Sequence, residues 1–115
     1  GLGDVYKRQI TDRGKDYLQS IIFDALRESS VIYPTSLYSG LSLLDKIPRE
    51  NARQALEEQK RLLDEEFCAL EKGEKTNEAA GREVPQISRI TIENMFAIIR
   101  QQQQFIEKIL EVLED

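Results

Sequence analysis

The residues of this chain whose types carry chemistry are Cys68, the acidic run Asp64-Glu65-Glu66, the amide run Gln101-Gln102-Gln103-Gln104, and the scattered cations Arg13, Lys15 and Arg27. A thiol becomes a nucleophile or redox group when neighbouring cations lower its pKa. No arrangement of Lys or Arg around Cys68 predicts this, and a lone helical Cys is more often a small packing residue than a nucleophile or redox sensor. Paired carboxylates can move protons or hold a metal. Consecutive helical positions point in different directions, however, so Asp64-Glu65-Glu66 reads as a solvated face. Gln102 or Gln103 falls between Ile99 and Ile106 at a half-heptad position. A buried amide there would fix register or pairing between two copies of the helix. The alternative is that the run faces solvent. Arg13, Lys15 and Arg27 form no continuous basic patch and do not by themselves support sequence-specific DNA binding.

Composition removes many other chemistries. The 115 residues contain no His, no Trp and one Cys. A His-dependent triad and a zinc site built on His or several Cys are excluded. So is a Glu-x-x-His di-iron site. There is no Gly-rich phosphate loop and no Gly-x-Ser-x-Gly elbow. The chain is therefore expected not to be an enzyme, with no catalytic, cofactor-binding or metal-ligating residues and no cofactor. One Cys makes no internal disulfide, so nothing points to an oxidising compartment, and a cytoplasmic location is expected. No apolar run approaches the roughly 18 residues of a membrane span. Sixteen basic against 21 acidic residues give a net charge of −5. With a pI near 4.9, binding of nucleic acid through phosphate neutralisation alone is disfavoured.

The elements that hold these residues are helical. Thr11 can cap a first helix, and Asp12 suits its positive end. Tyr17, Leu18, Ile21, Ile22, Ala25 and Leu26 then follow the spacing of one apolar face. Gly14 lies on the same stripe, which implies either close approach of another backbone or a frayed first turn. Pro34 ends the break after this helix. Thr35 or Ser36 can cap a short second helix carrying Leu37, Tyr38, Leu41, Leu43, Leu44 and Ile47. So little polar face predicts burial on more than one side, and Gly40 would let a neighbour pack closely.

Pro48 opens a third helix over residues 49–72. Leu56, Leu63 and Leu70 recur every seven residues, with Ala52, Ala55, Leu62 and Phe67 near the same stripe. Glu57–Arg61, Lys60–Asp64 and Arg61–Glu65 are spaced as helical ion pairs. Residues 73–83 read as a mobile polar loop. Pro85 begins a fourth helix of nearly thirty residues, in which Ile92, Ile99, Ile106 and Leu113 repeat every seven. Met95, Phe96, Ile109 and Leu110 fill the half-heptad positions. Two long heptad helices joined by a loop predict an antiparallel hairpin. The expected fold class is all-α, short helices followed by a long antiparallel helical hairpin. No strand-period segment follows Thr11, and there is no internal repeat.

Residues 4–9, Asp-Val-Tyr-Lys-Arg-Gln, resemble one reading frame of a transposase adaptor end used in sequencing libraries. Residues 1–9 are accordingly expected to be non-native, with the natural protein extending further upstream. The absence of an initiator Met fits that expectation. Residues 10–115 then carry −6, from 14 basic and 20 acidic residues.

Two segments together resemble the PadR family of bacterial transcriptional regulators. The first is Ile10-Thr11-Asp12-Arg13-Gly14-Lys15-Asp16-Tyr17-Leu18, similar to the Ile-Thr-x-x-Gly-x-x-x-Leu stretch that follows the wing of the family's winged helix-turn-helix. The second is Ser39-Gly40-Leu41-Ser42-Leu43-Leu44-Asp45-Lys46-Ile47-Pro48-Arg49-Glu50, similar to the family's small-Gly-Leu turn ending in Leu-Pro-x-Glu before a long helix. Phe105-Ile106-Glu107 resembles an aromatic-Leu-Glu run near the end of the closing helix, where the family usually has Trp. The resemblance covers residues 10–115.

The resemblance implies a C-terminal helical dimerisation and effector domain appended to a winged helix-turn-helix. Its expected partners are a second copy of the chain and a small-molecule effector, with no membrane. Operator DNA would be contacted only through the N-terminal winged helix, whose wing and recognition helix are expected upstream of Ile10. Leu56, Leu63, Leu70, Ile92, Ile99, Ile106 and Leu113 are the expected apolar seams, buried either across a two-fold axis or inside one hairpin. A helical scaffold or adaptor unrelated to transcription explains the heptads and acidity equally well. It does not explain residues 10–18 or the turn at 44–50.

Overall fold

The computed structural model describes residues 11–114, so the expectations for residues 1–9 and Ile10 lie outside the described residues. Four α-helices follow in order: α1 (Asp12–Arg27), α2 (Thr35–Ser42), α3 (Arg49–Ala79) and α4 (Gln86–Glu114). A 3-10 turn, Leu44–Lys46, joins α2 to α3. Among the described residues there is no strand, and the architecture is all-α as the periodicity predicts. The chain divides at residue 35 into two units.

In the first unit, the capping expected of Thr11 is present. Its hydroxyl accepts from the Gly14 amide at 3.2 Å, and Asp12 occupies the first turn. Helix α1 ends at Arg27, whose guanidinium pairs with Asp24 at 2.9 Å and lies over the Phe23 ring. Arg27 is thereby drawn onto its own helix and adds to no basic patch.

The second unit is built on α3 and α4, which pack along one another as an antiparallel hairpin. Helices of 31 and 29 residues are each about 45 Å long at 1.5 Å per residue. Pro48 stands just before α3, where its missing N–H leaves nothing unsatisfied, and its carbonyl accepts from Asn51 and Ala52. Leu56, Ile106 and Leu110 form the buried core, with Leu37, Leu41, Leu63, Phe105, Ile109 and Leu113 packed against it. Helix α2 thus covers the base of the hairpin, and Tyr38 meets Phe105 edge-on with ring centroids 6.1 Å apart.

Three local expectations are corrected. Helix α3 runs through Gly73 to Ala79, seven residues beyond the predicted end. An exposed Gly in a helix costs only about 1 kcal/mol, and the surrounding Glu and Lys are good helix formers. The real stop is Gly81, with φ of +67°. There the Gly81 amide donates to the Glu78 carbonyl and the Arg82 amide to that of Asn77, the paired bonds of a Schellman turn. Secondly, the second helix is not buried on several sides. It breaks after Ser42, no residue of it is buried, and Tyr38, Leu43 and Ile47 are exposed. A two-helix hairpin offers one surface to cover, so only Leu37 and Leu41 reach the core. Thirdly, a Cβ added at Gly40 would meet nothing within 4 Å, so no neighbour packs closely there.

Gly81→Ala should destabilise the hairpin by about 1 kcal/mol, because a Cβ in the left-handed region clashes with the following carbonyl. Urea denaturation followed by circular dichroism tests this. An unchanged midpoint would mean that the turn is not held in this conformation.

Candidate functional site

The seven seam residues are placed first. Leu56 and Ile106 are buried, while Leu63, Leu70, Ile92, Ile99 and Leu113 are half-buried. Leu56, Leu63, Ile106 and Leu113 belong to the core of a single hairpin. Much of the heptad pattern is therefore satisfied within one chain, and pairing of two chains would need other faces. Two residues assigned near the seams lie outside them. Leu62 is 52% and Met95 45% exposed.

One flank of the hairpin carries a row of specific contacts. Lys60 reaches Glu107 at 3.7 Å. One turn along, the Gln103 amide donates to Asp64 at 2.9 Å. Arg100 lies over the Phe67 ring at 5.2 Å, and Phe67 meets Phe96 edge-on at 5.1 Å. Steps of four and three residues on α3 are matched by steps of four and three on α4, so one register holds throughout. At the base, Arg49 donates to the Val112 carbonyl at 3.2 Å, near the C-terminus of α4 where a cation is favoured.

This row changes the expected ion pairs. Lys60 bonds across the hairpin rather than to Asp64, and Asp64 is taken by Gln103. Arg61–Glu65 forms as expected, at 2.7 Å. Glu50 and Arg53 make a two-pronged contact at 2.8 and 3.2 Å. The hydrogen bond from Arg53, and then its charge, hold the Glu50 carboxyl below its usual range.

Both candidate amides are half-buried, and they behave differently. Gln103 locks α4 to α3 through Asp64. The Gln102 Oε1 is buried and accepts no hydrogen bond. Beside the row lies an open groove of about 490 Å³, lined by Phe67, Phe96 and Arg100 together with Glu71 and Glu93. Cys68 is exposed. Among the described residues no three His, Cys, Asp or Glu are grouped as metal ligands would be, and no helix is long and apolar enough to cross a membrane.

The apolar surface left outside the core is extensive. On α1, Tyr17, Leu18, Ile21, Ile22, Phe23 and Leu26 are exposed, and no residue of the helix is buried. On α4, Ile87, Ile90, Met95 and Ile98 form a second exposed set. Sequence reasoning found the first stripe by its spacing. It missed the second, whose only signal was four large apolar residues out of phase with the seam. Comparison with known proteins returns no matching family model, no matching curated protein and no matching solved structure.

Proposed function

We propose that this chain is the pairing module of a PadR-like transcriptional regulator, joining two protomers whose DNA-reading winged helices lie N-terminal to the segment resembling that family. The observation that carries the pairing is α1, a 16-residue helix with a continuous apolar face and no buried residue. An isolated helix of this length is marginal in water and gains its stability from covering such a face. The assignment to regulators rests on residues 10–18 and 39–50, where Thr11 caps α1 and Pro48 precedes the long α3.

In this reading α1 is the contact element. An effector that favours one of two dimer geometries would change the angle between the DNA-binding heads, and with it operator affinity. The open groove at Phe67, Phe96 and Arg100 is the candidate place for such an effector.

Light scattering behind a sizing column, over a range of concentrations, tests the pairing. A defined dimer is the expected result. A monomer at every concentration would remove the basis of the proposal.

A further inference from the structure

The amides of the glutamine run on α4 have unequal surroundings. Gln101 and Gln104 are exposed and border the aromatic groove. Gln103 bonds Asp64 across the hairpin. Gln102 differs from all three. Among the described residues, its Oε1 is the one covered side-chain polar atom without a hydrogen-bond partner. A covered carbonyl with no donor has lost its water and gained nothing, which costs more than a made bond contributes. The amide therefore has a lower free energy in any state that returns it to water.

The place of Gln102 on the hairpin says which state that is. It lies four residues from Ile106, one turn toward Gly81. The buried hydrophobic residues Ala52, Leu56, Ile106 and Leu110 are all on its base side. On its other side, residues 64–101 keep Leu70, Ile92 and Ile99 only half-buried, together with the Phe67–Phe96 pair. Two helical stretches with so little covered surface open locally at far lower cost than the whole hairpin.

We propose that Gln102 is a built-in release point. It favours opening of residues 64–101 as a unit, with the Gly81 loop still joining the two stretches and the base still folded. Gln103 is its counterweight, because its bond to Asp64 is made only in the closed state. Adjacent amides on one helix thus bias one equilibrium in opposite directions. The aromatic groove takes Phe67 and Glu71 from α3 and Glu93, Phe96 and Arg100 from α4, all within this half. It exists only while the half is closed, so Gln102 sets how often the chain presents it. A molecule held in the groove would close the half by mass action. That last step rests on the effector reading above, and the opening itself does not.

Native-state amide hydrogen exchange of the whole chain, resolved by residue, tests the release point. In the wild type, protection over residues 64–101 should be at least about tenfold lower than around Leu56 and Ile106, as a separate local opening requires. Gln102→Leu should raise protection in that half about tenfold, because an apolar side chain of similar size removes the covered carbonyl. Gln104→Leu, exposed on the same helix, is the control for helix propensity and should change protection by less than about twofold. Equal protection in both halves of the wild type would mean that the hairpin opens only as a whole, and would overturn the proposal. Unchanged or lower protection in Gln102→Leu would mean that the carbonyl is satisfied, as by a held water, and would overturn it too. Either failure leaves the pairing reading standing, since light scattering reads that separately.

Discussion

Ile106→Ala should lower the stability of the hairpin by about 3 kcal/mol, within the usual range for truncating a buried aliphatic side chain. Ile106 is fully buried, and Ala52, Leu56 and Leu110 are the other buried hydrophobic residues among the described ones. The loss has two parts, the transfer energy of the removed carbons and the cavity left among Leu56, Leu110 and their neighbours. Neither is easily recovered. Leu56 approaches from α3 and Leu110 from the next turn of α4, and both are held by long helices that cannot collapse locally. A domain of this size has few kcal/mol to lose. Unfolding in urea, monitored by helical ellipticity, should show a large drop in midpoint with little change in slope. A loss below about 1 kcal/mol would mean that the core lies elsewhere.

The second large effect concerns α1. Leu18→Asp combined with Ile22→Asp should weaken self-association at least about a hundredfold, since each carboxylate placed in an apolar contact costs more than the tenfold equivalent of 1.4 kcal/mol. Sedimentation equilibrium reads the constant directly. Ser20→Asp, between the two on the sequence but on the polar face with Asp16 and Asp24, is the control and should leave association within about twofold, as exposed charges generally do. An unchanged constant in the double variant would detach α1 from pairing altogether. Helix content needs to be followed in parallel, because Asp is a poorer helix former than Leu or Ile.

Much of the architecture was legible because it rests on local rules. The Thr11 cap, the Pro48 start and the 3.6-residue stripes are each fixed by a few neighbouring residues. The register of the hairpin was not legible. Lys60 had two reachable acids, Asp64 on its own helix and Glu107 across the hairpin, and spacing sees only the first. The end of α3 was misplaced because Gly73 reads as a breaker, whereas a helix stops where a residue enters the left-handed region, at Gly81. The second helix was expected to be buried because its composition is apolar. Burial depends on how many surfaces surround a segment, and composition does not count them. For the same reason the seven seam residues were found while their partners were left open. A heptad records that a stripe is covered, and not by whose helix.

The position of the core sets how this molecule comes apart. Leu56, Ile106 and Leu110 lie toward the base of the hairpin, far from the Gly81 turn. Near the turn, Leu70 and Ile92 are only half-buried, and no fully buried residue is found between 57 and 105. Local unfolding therefore begins beside the turn, where little apolar surface has to be exposed, and the last turn of α3 and the first turn of α4 fray while the Gly81 loop still joins them. The Asp64–Gln103 bond stands roughly midway and is the point at which further parting begins to disturb the packed base. The hairpin is thus held at its root, where α2 and the core sit, and frays first at its tip.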